Sequence, residues 1–206
     1  MNNNFLPLLD DVSQYYTEKV NKFGANNKGV DWNSTESQYL RFKQLATIIN
    51  TPGPFSICDF GCGYGAFYDY LLQLYSDFNY LGIEISSPML DQAKKLYPNA
   101  QFSLTNQIPT HFDYVIASGV FNVRLHHSEN DWYSYIQSTL LHLNAMTTQG
   151  FAFNCLTSYS DKEHMKESLY YANPGKLFDF CKTHFSKNVA LLHDYNLYEF
   201  TILVRK

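Results

Sequence analysis

A loop with glycine at every second position, entered straight from an apolar run, most narrows what this chain can fold into. Phe55-Ser56-Ile57-Cys58-Asp59-Phe60 is the run and Gly61-Cys62-Gly63-Tyr64-Gly65 the loop. Beyond it, Tyr68, Leu71, Leu72 and Tyr75 recur at the three-and-four spacing of a helix with one buried face. Strand, glycine loop and helix make the first half of a nucleotide-binding βαβ unit. Glycine is required there because the backbone turns at positive φ and a ligand approaches closely.

The loop details separate ligand classes. A dinucleotide fingerprint has the spacing G-x-G-x-x-G, which seats a pyrophosphate on the helix N-terminus. Here the spacing is G-x-G-x-G, and Asp59 stands two residues before the first glycine. A carboxylate at that point repels a pyrophosphate but accepts a hydrogen bond from an ammonium group or, through water, from a ribose. The second strand, Asn79 to Ile85, ends in Gly82-Ile83-Glu84-Ile85. Glu84 lies 25 positions after Asp59, near the roughly 20 residues expected before a ribose-binding acid.

The remaining pattern predicts alternating helices and strands. Leu9 to Phe23 reads as a helix within an N-terminal lid, residues 1–33, closed by the Gly24–Gly29 break. A second helix starts among Asn33, Ser34 and Thr35, with Asn33/Glu36 or Thr35/Gln38 as its capping box, and runs to about Asn50. Ser86-Ser87-Pro88 opens the next helix, ended by Tyr97-Pro98-Asn99. Gln101–Thr105, Phe112–Ser118 and Phe151–Leu156 read as strands, Asp131–Leu143 and the stretch from Asn173-Pro174 to His184 as helices. Val189–His193 and Tyr198–Val204 form a terminal hairpin. This alternation predicts an α/β fold, a Rossmann-like three-layer sandwich with a mostly parallel sheet covered on both faces.

Bulk properties bound the function. At 206 residues the chain suits one well-cored domain, spanning 1–206, with lid and first helix in 1–50 and the Rossmann-like core in 55–206. Fifteen Lys and Arg against nineteen Asp and Glu, net −4, argue against a general phosphate-backbone binder, so no nucleic-acid partner is expected. Seventeen Tyr and sixteen Phe promise aromatic rings in the core or a pocket. Cys58, Cys62, Cys155 and Cys181 lack C-x-x-C spacing and read as reduced, buried thiols. The segment Met1 to Asp10 has no basic n-region and no window approaches a membrane span, so a cytoplasmic protein with no membrane partner is expected.

Asp59 through Gly65, followed by Gly82-Ile83-Glu84-Ile85, resembles the first two motifs of class I S-adenosylmethionine-dependent methyltransferases. The resemblance covers roughly Phe55 to Thr157. It implies a seven-stranded sheet whose last strand is antiparallel and inserted beside the fifth, and S-adenosyl-L-methionine as cofactor. In such a fold ligands bind outside the carboxyl ends of the strands. Asp59, Gly61, Cys62 and Gly63 would line the methionine half and the backbone near Ser118 would meet its ammonium. Glu84 would take both ribose hydroxyls, while Ile85 and Met89 would cover the adenine face. Asn106 and Ile108 occupy the region facing the adenine amino group. Arg41 is the candidate for the cofactor carboxylate, and Tyr15, Tyr16 and Trp32 for rings over the sulfonium.

For the acceptor, Asn122 and Arg124 stand just past the fourth strand, and His193, with Asp194, is the candidate general base. Tyr170-Tyr171 would close the pocket from above. The Asn/Asp-Pro-Pro-aromatic sequence of nucleic-acid amino-methyltransferases is missing after the fourth strand, and no cysteine stands there for cytosine C5 chemistry. A small acceptor, methylated on O or N, is the expectation. His126-His127 shows no third ligand in the sequence, so no metal is expected. The alternatives are a methyltransferase-like module that binds without catalysing and, less favoured, a nucleotide-dependent oxidoreductase. Oligomeric state is left open.

Overall fold

The computed structural model describes residues 5–206; Met1 to Asn4, the start of the segment read above as lacking a targeting signal, lie outside them. Helix α1 (Leu6–Phe23) and α2 (Thr35–Ala46) precede β1 (Phe55–Phe60). Then follow α3 (Ala66–Leu72), β2 (Phe78–Glu84), α4 (Ser87–Leu96), β3 (Gln101–Leu104) and β4 (Phe112–Ala117). The second half holds α5 (Glu129–Ala145), β5 (Thr147–Thr157), β6 (Tyr171–Ala172), α6 (Pro174–His184), β7 (Asn188–Leu192) and β8 (Glu199–Arg205).

The strands form one sheet in the order β3-β2-β1-β4-β5-β8-β7. β3 through β5 are parallel, while β8 runs antiparallel between β5 and β7, as a terminal hairpin inserted beside the fifth strand requires. The count departs from seven: the two-residue β6 pairs in parallel with Leu156 and Thr157 at the end of β5. Two residues carry too little pattern to read as a strand.

The central strands are buried along almost their whole length because helices cover both faces. Successive residues serve opposite layers. Cys58 and Phe60 of β1, with Val115 and Ala117 of β4, pack toward α1, α5 and α6; Phe55 and Ile57, with Tyr114 and Ile116, pack toward α2 and α3. Among the described residues no helix is long and apolar enough to cross a membrane.

Helix ends follow local chemistry. α1 begins at Leu6 rather than Leu9 because Pro7 falls in its first turn, where its missing N–H costs nothing. The capping box of α2 is neither pair expected: Ser34 accepts from the Ser37 amide at 3.1 Å, and the Ser37 hydroxyl accepts from the Ser34 amide. α2 ends at Ala46, and Ile48 and Ile49 are buried beyond it in irregular chain.

Trp132 of α5 fixes the segment after β4. Its ring is fully buried and its indole N–H donates to the Phe121 carbonyl at 2.8 Å. Trp132→Ala opens a cavity and orphans that carbonyl, and should cost about 3–5 kcal/mol of stability in urea unfolding. Trp132→Phe, which fills most of the space, should cost clearly less.

Candidate active site

β1 delivers the glycine loop to the carboxyl edge of the sheet. Gly61, Gly63 and Gly65 all have positive φ, at 75°, 56° and 85°. At Gly61 a Cβ would also lie 2.7 Å from the Val120 side chain, so the position admits no other residue without displacement. The loop is tied to the end of β2. The amides of Gly61 and Cys62 donate to the Ile83 carbonyl at 2.9 and 3.0 Å, and the Gly63 amide donates to Glu84 Oε2 at 3.0 Å. Glu84 Oε1 accepts from the amides of Ile85 and Ser86 at 2.7 and 3.0 Å.

Two acids are therefore buried side by side. Burial pushes the Asp59 carboxyl up to about 7, opposed by the hydroxyl of Tyr80 at 2.8 Å and reinforced by the charge of Glu84. Burial also raises Glu84, against its three backbone hydrogen bonds. Neither acid takes part in an ion pair among the described residues. Ser118 Oγ is also buried and has no hydrogen-bond partner among the described residues. Glycines at positive φ, two buried carboxyls without a cationic partner among the described residues and an orphaned hydroxyl suit a cationic ligand with hydrogen-bond donors.

These groups line a cavity of about 100 Å³. Asp59, Gly61, Cys62, Gly63, Glu84, Ile85, Met89, Asn106, Ser118 and Tyr16 all face it. Leu9 and Val12 of α1, with Val30 and Trp32, roof it over. Pockets for drug-sized ligands run to roughly 300–1,000 Å³, so the space enclosed beneath α1 and Trp32 is smaller than a nucleoside with an amino-acid tail would fill. α1 is held down by Ser13 on the Ile85 carbonyl at 3.0 Å and by Thr17 with Ser86 at 2.8 Å.

Ile108 is not in this cavity. It is packed into the core, and its amide donates to His142 Nε2 at 3.1 Å, an acceptor that burial keeps neutral. Arg41 is also outside it. Its Nε and Nη2 donate to the Glu199 carboxylate at 2.6–2.9 Å. Glu199 accepts from Asn154 Nδ2 at 2.6 Å, and Asn154 Oδ1 accepts from the Gly119 amide at 2.8 Å. A guanidinium on α2 thus finds its partner on β8, 158 residues away, which no local pattern announces.

A second cavity of about 650 Å³ adjoins the first. Tyr16, Val30, Trp32 and Gly119 line both. Asn122 faces it, although its Oδ1 is already accepting from the Leu156 amide at 3.1 Å. Tyr171 faces it too, whereas Tyr170 does not. Arg124 lines neither cavity; Nη1 donates to the His127 carbonyl at 2.6 Å and Nη2 to that of Glu167 at 2.8 Å, so it braces two loops. His193 lines neither. It is exposed between the rings of Tyr159 and Phe200. β7 is the outermost strand beyond β8, so the residue at its end stands away from the edge formed by β1, β2 and β4. Tyr15 turns to Asp31 instead of a cavity.

Sequence reasoning missed Gln38 and Phe42 in the first cavity and His164, Tyr198 and Glu199 in the second. None belongs to a motif; each arrives by packing. The structure also supplies a third group beside the paired histidines. Asp11 Oδ2 lies 3.0 Å from His127 Nε2 and 3.6 Å from His126 Nε2, a set able to hold a cation and one that links α1 to the loop after β4.

A doubly covered, mostly parallel sheet with an antiparallel β8, and a glycine loop flanked by two acids, define a Rossmann-like methyltransferase. A family model described as a methyltransferase domain matches residues 58–150. The Mycobacterium tuberculosis protein named "Putative methyltransferase Rv1506c" is 52% identical over 162 residues, 77% of this chain and 98% of its own. In fold, the chain is similar to DhpI in complex with SAH (TM-score 0.68, 11% identity, 95% of each chain covered). It is also similar to magnesium protoporphyrin IX methyltransferase from Synechocystis PCC 6803 with bound SAM (TM-score 0.60, 14% identity, 82% of this chain and 79% of that one). This chain belongs to the class I S-adenosylmethionine-dependent methyltransferase family.

Two outcomes follow for stability. The folded Asp59 carboxyl, at about 7, holds its proton more tightly than the unfolded one at 3.8. Its contribution therefore favours the fold most at low pH and is lost as pH rises from about 4 through 7. The thermal stability of Asp59→Asn relative to the parent should accordingly climb between pH 5 and 8. Glu199→Leu strands the Arg41 charge and should cost about 3–5 kcal/mol, with Arg41→Met in the same chain restoring most of it in urea unfolding.

Proposed function

We propose that the protein, acting as one methyltransferase domain with its first 50 residues as lid and first helix, methylates a small molecule on oxygen or nitrogen. The observation that carries this reading is the pair of buried carboxyls, Asp59 and Glu84, with no cationic partner among the described residues, beside a loop whose glycines sit at positive φ. S-adenosyl-L-methionine answers it, bringing a sulfonium, an ammonium and ribose hydroxyls. When bound, it supplies a methyl group already activated for in-line displacement.

Glu84 has one acceptor site left after its three amides, since each carboxylate oxygen offers two lone-pair sites and Oε1 already accepts twice; Oε2 takes a ribose hydroxyl. Ile85 and Met89 cover the adenine, and Asn106 meets its amino edge. Gly61, Cys62 and Gly63 run along the methionine half. Ser118 Oγ accepts from the ammonium, and Asp59 supplies the balancing negative charge. Tyr16 and Trp32 lie between donor and acceptor, where they exclude water and present ring faces to a cation. The protein thus acts by positioning and desolvation. A cavity of about 650 Å³ is the size of a small-molecule site, which supports a small acceptor over a macromolecule.

Calorimetric titration with S-adenosylhomocysteine tests the reading. Micromolar binding is expected, absent with NAD and lost in Asp59→Ala. Binding near pH 6.5 should release protons, because a cation beside Asp59 lowers its raised pKa; heats measured in buffers of different ionisation enthalpy read this directly. If the homocysteine product fails to bind, the methyltransferase reading falls. If it binds but no supplied acceptor is ever methylated, the non-catalytic module is the better account.

A further inference from the structure

We propose that the methyl acceptor carries an anionic group, a carboxylate or a phosphate, and that Arg41 receives it in the second cavity. The proposal rests on the reading of that cavity as the acceptor site.

The two cavities are electrostatic opposites. Among the described residues, the first holds two acids and no lysine or arginine. The second is lined by Lys19, Lys28, Arg41 and Lys166 against Asp31 and Glu199. Lys19 is paired with Asp31 at 2.6 Å and Arg41 with Glu199 at 2.6 Å, whereas Lys28 and Lys166 have no acid partner among the described residues. A surplus of positive charge thus gathers in one cavity of a chain whose net charge is −4. A concave site with an excess of one sign of charge concentrates ligands of the other. A cationic donor and an anionic acceptor would then meet at the residues shared by the two sites, Tyr16, Val30, Trp32 and Gly119.

Arg41 supplies the specific contact. The side chain is buried, its relative exposure being 7%. Nε and Nη2 are engaged by Glu199, but Nη1 is withdrawn from solvent and has no partner among the described residues. Buried N–H groups left unpaired are uncommon, and this one belongs to a residue that lines the second cavity. The guanidinium carbon lies 4.0 Å from the centroid of the Trp32 ring, which fixes the plane of the fork. Glu199 and Asn154 hold the group from the other side. The end edge of a guanidinium so clamped presents N–H groups in the geometry of a carboxylate or phosphate oxygen pair. Phe23, Trp32, Tyr171 and Tyr198 line the same cavity and suit an aromatic or apolar body behind the anion.

The test titrates protein saturated with S-adenosylhomocysteine, in separate arms, with benzoate, phenyl phosphate and neutral benzyl alcohol. At least tenfold tighter binding of an anion than of the alcohol is expected, and whichever anion binds better identifies the group. Replacing both exposed lysines, Lys28→Ala with Lys166→Ala, should weaken the anion several-fold while the affinity for S-adenosylhomocysteine stays put. Arg41→Lys keeps the charge beside Glu199 but removes the planar fork, and should abolish most of the anion preference. If that variant does not fold, the paired variant Arg41→Met with Glu199→Leu carries the same test. Equal binding of the alcohol and the anions overturns the proposal. So does an Arg41 variant that loses S-adenosylhomocysteine yet keeps the anion, since the fork would then serve the cofactor's own carboxylate. Failure of S-adenosylhomocysteine to bind the parent protein instead overturns the donor reading, and the anion preference is then still measured on the protein alone.

Discussion

The hydrogen bond from the Gly63 amide to the Glu84 carboxylate at 3.0 Å is the contact on which the site depends. It joins the loop after β1 to the end of β2, and the two amides donated to the Ile83 carbonyl repeat the tie one residue earlier. Together they hold a chain at positive φ that has little rigidity of its own, because glycine gives up more conformational freedom on folding than any other residue. The cost is a carboxylate withdrawn from water, and Asp59 is withdrawn beside it. The region is thus built with unmet negative charge, and a cationic ligand relieves the strain the fold has set up.

Across Trp32 the balance of charge reverses. Its ring rests on Arg41 on one side and, at its far edge, against Gly119, where a Cβ would come within 2.5 Å of it. Gly119 in turn is held by Asn154, Asn154 by Glu199, and Glu199 by Arg41. The turn that separates donor from acceptor is therefore set by one connected polar chain through the core. A change at any member would be felt in both cavities, since networks of this kind respond as a unit.

The lid has a different character. α1 buries Leu8, Leu9, Val12 and Val20 and touches the site through Tyr16, yet its polar ties to the core are few: Ser13, Thr17 and the Asp11 contact with the histidine pair. A helix fastened by a narrow apolar stripe and a few hydrogen bonds is the kind of element that opens at low free-energy cost. Leu9 and Val12 of this helix line the first cavity.

The sequence by itself determined the βαβ start, the alternation of elements, the terminal hairpin and the residues that surround the glycine loop. All of these depend on short-range causes: periodicity, the φ demanded of glycine, and the rule that parallel strands deliver their carboxyl ends to one edge. Only the tertiary structure decided the partner of Arg41, the withdrawal of His193 and Arg124 from the site, and the entry of His164, Tyr198 and Glu199 into the second cavity. A histidine at a strand end and an arginine past another read as functional until sheet order is known. Where β7 lies relative to β4, and which acid reaches back to α2, are set by contacts between residues far apart in the chain, and side-chain type carries no record of that distance.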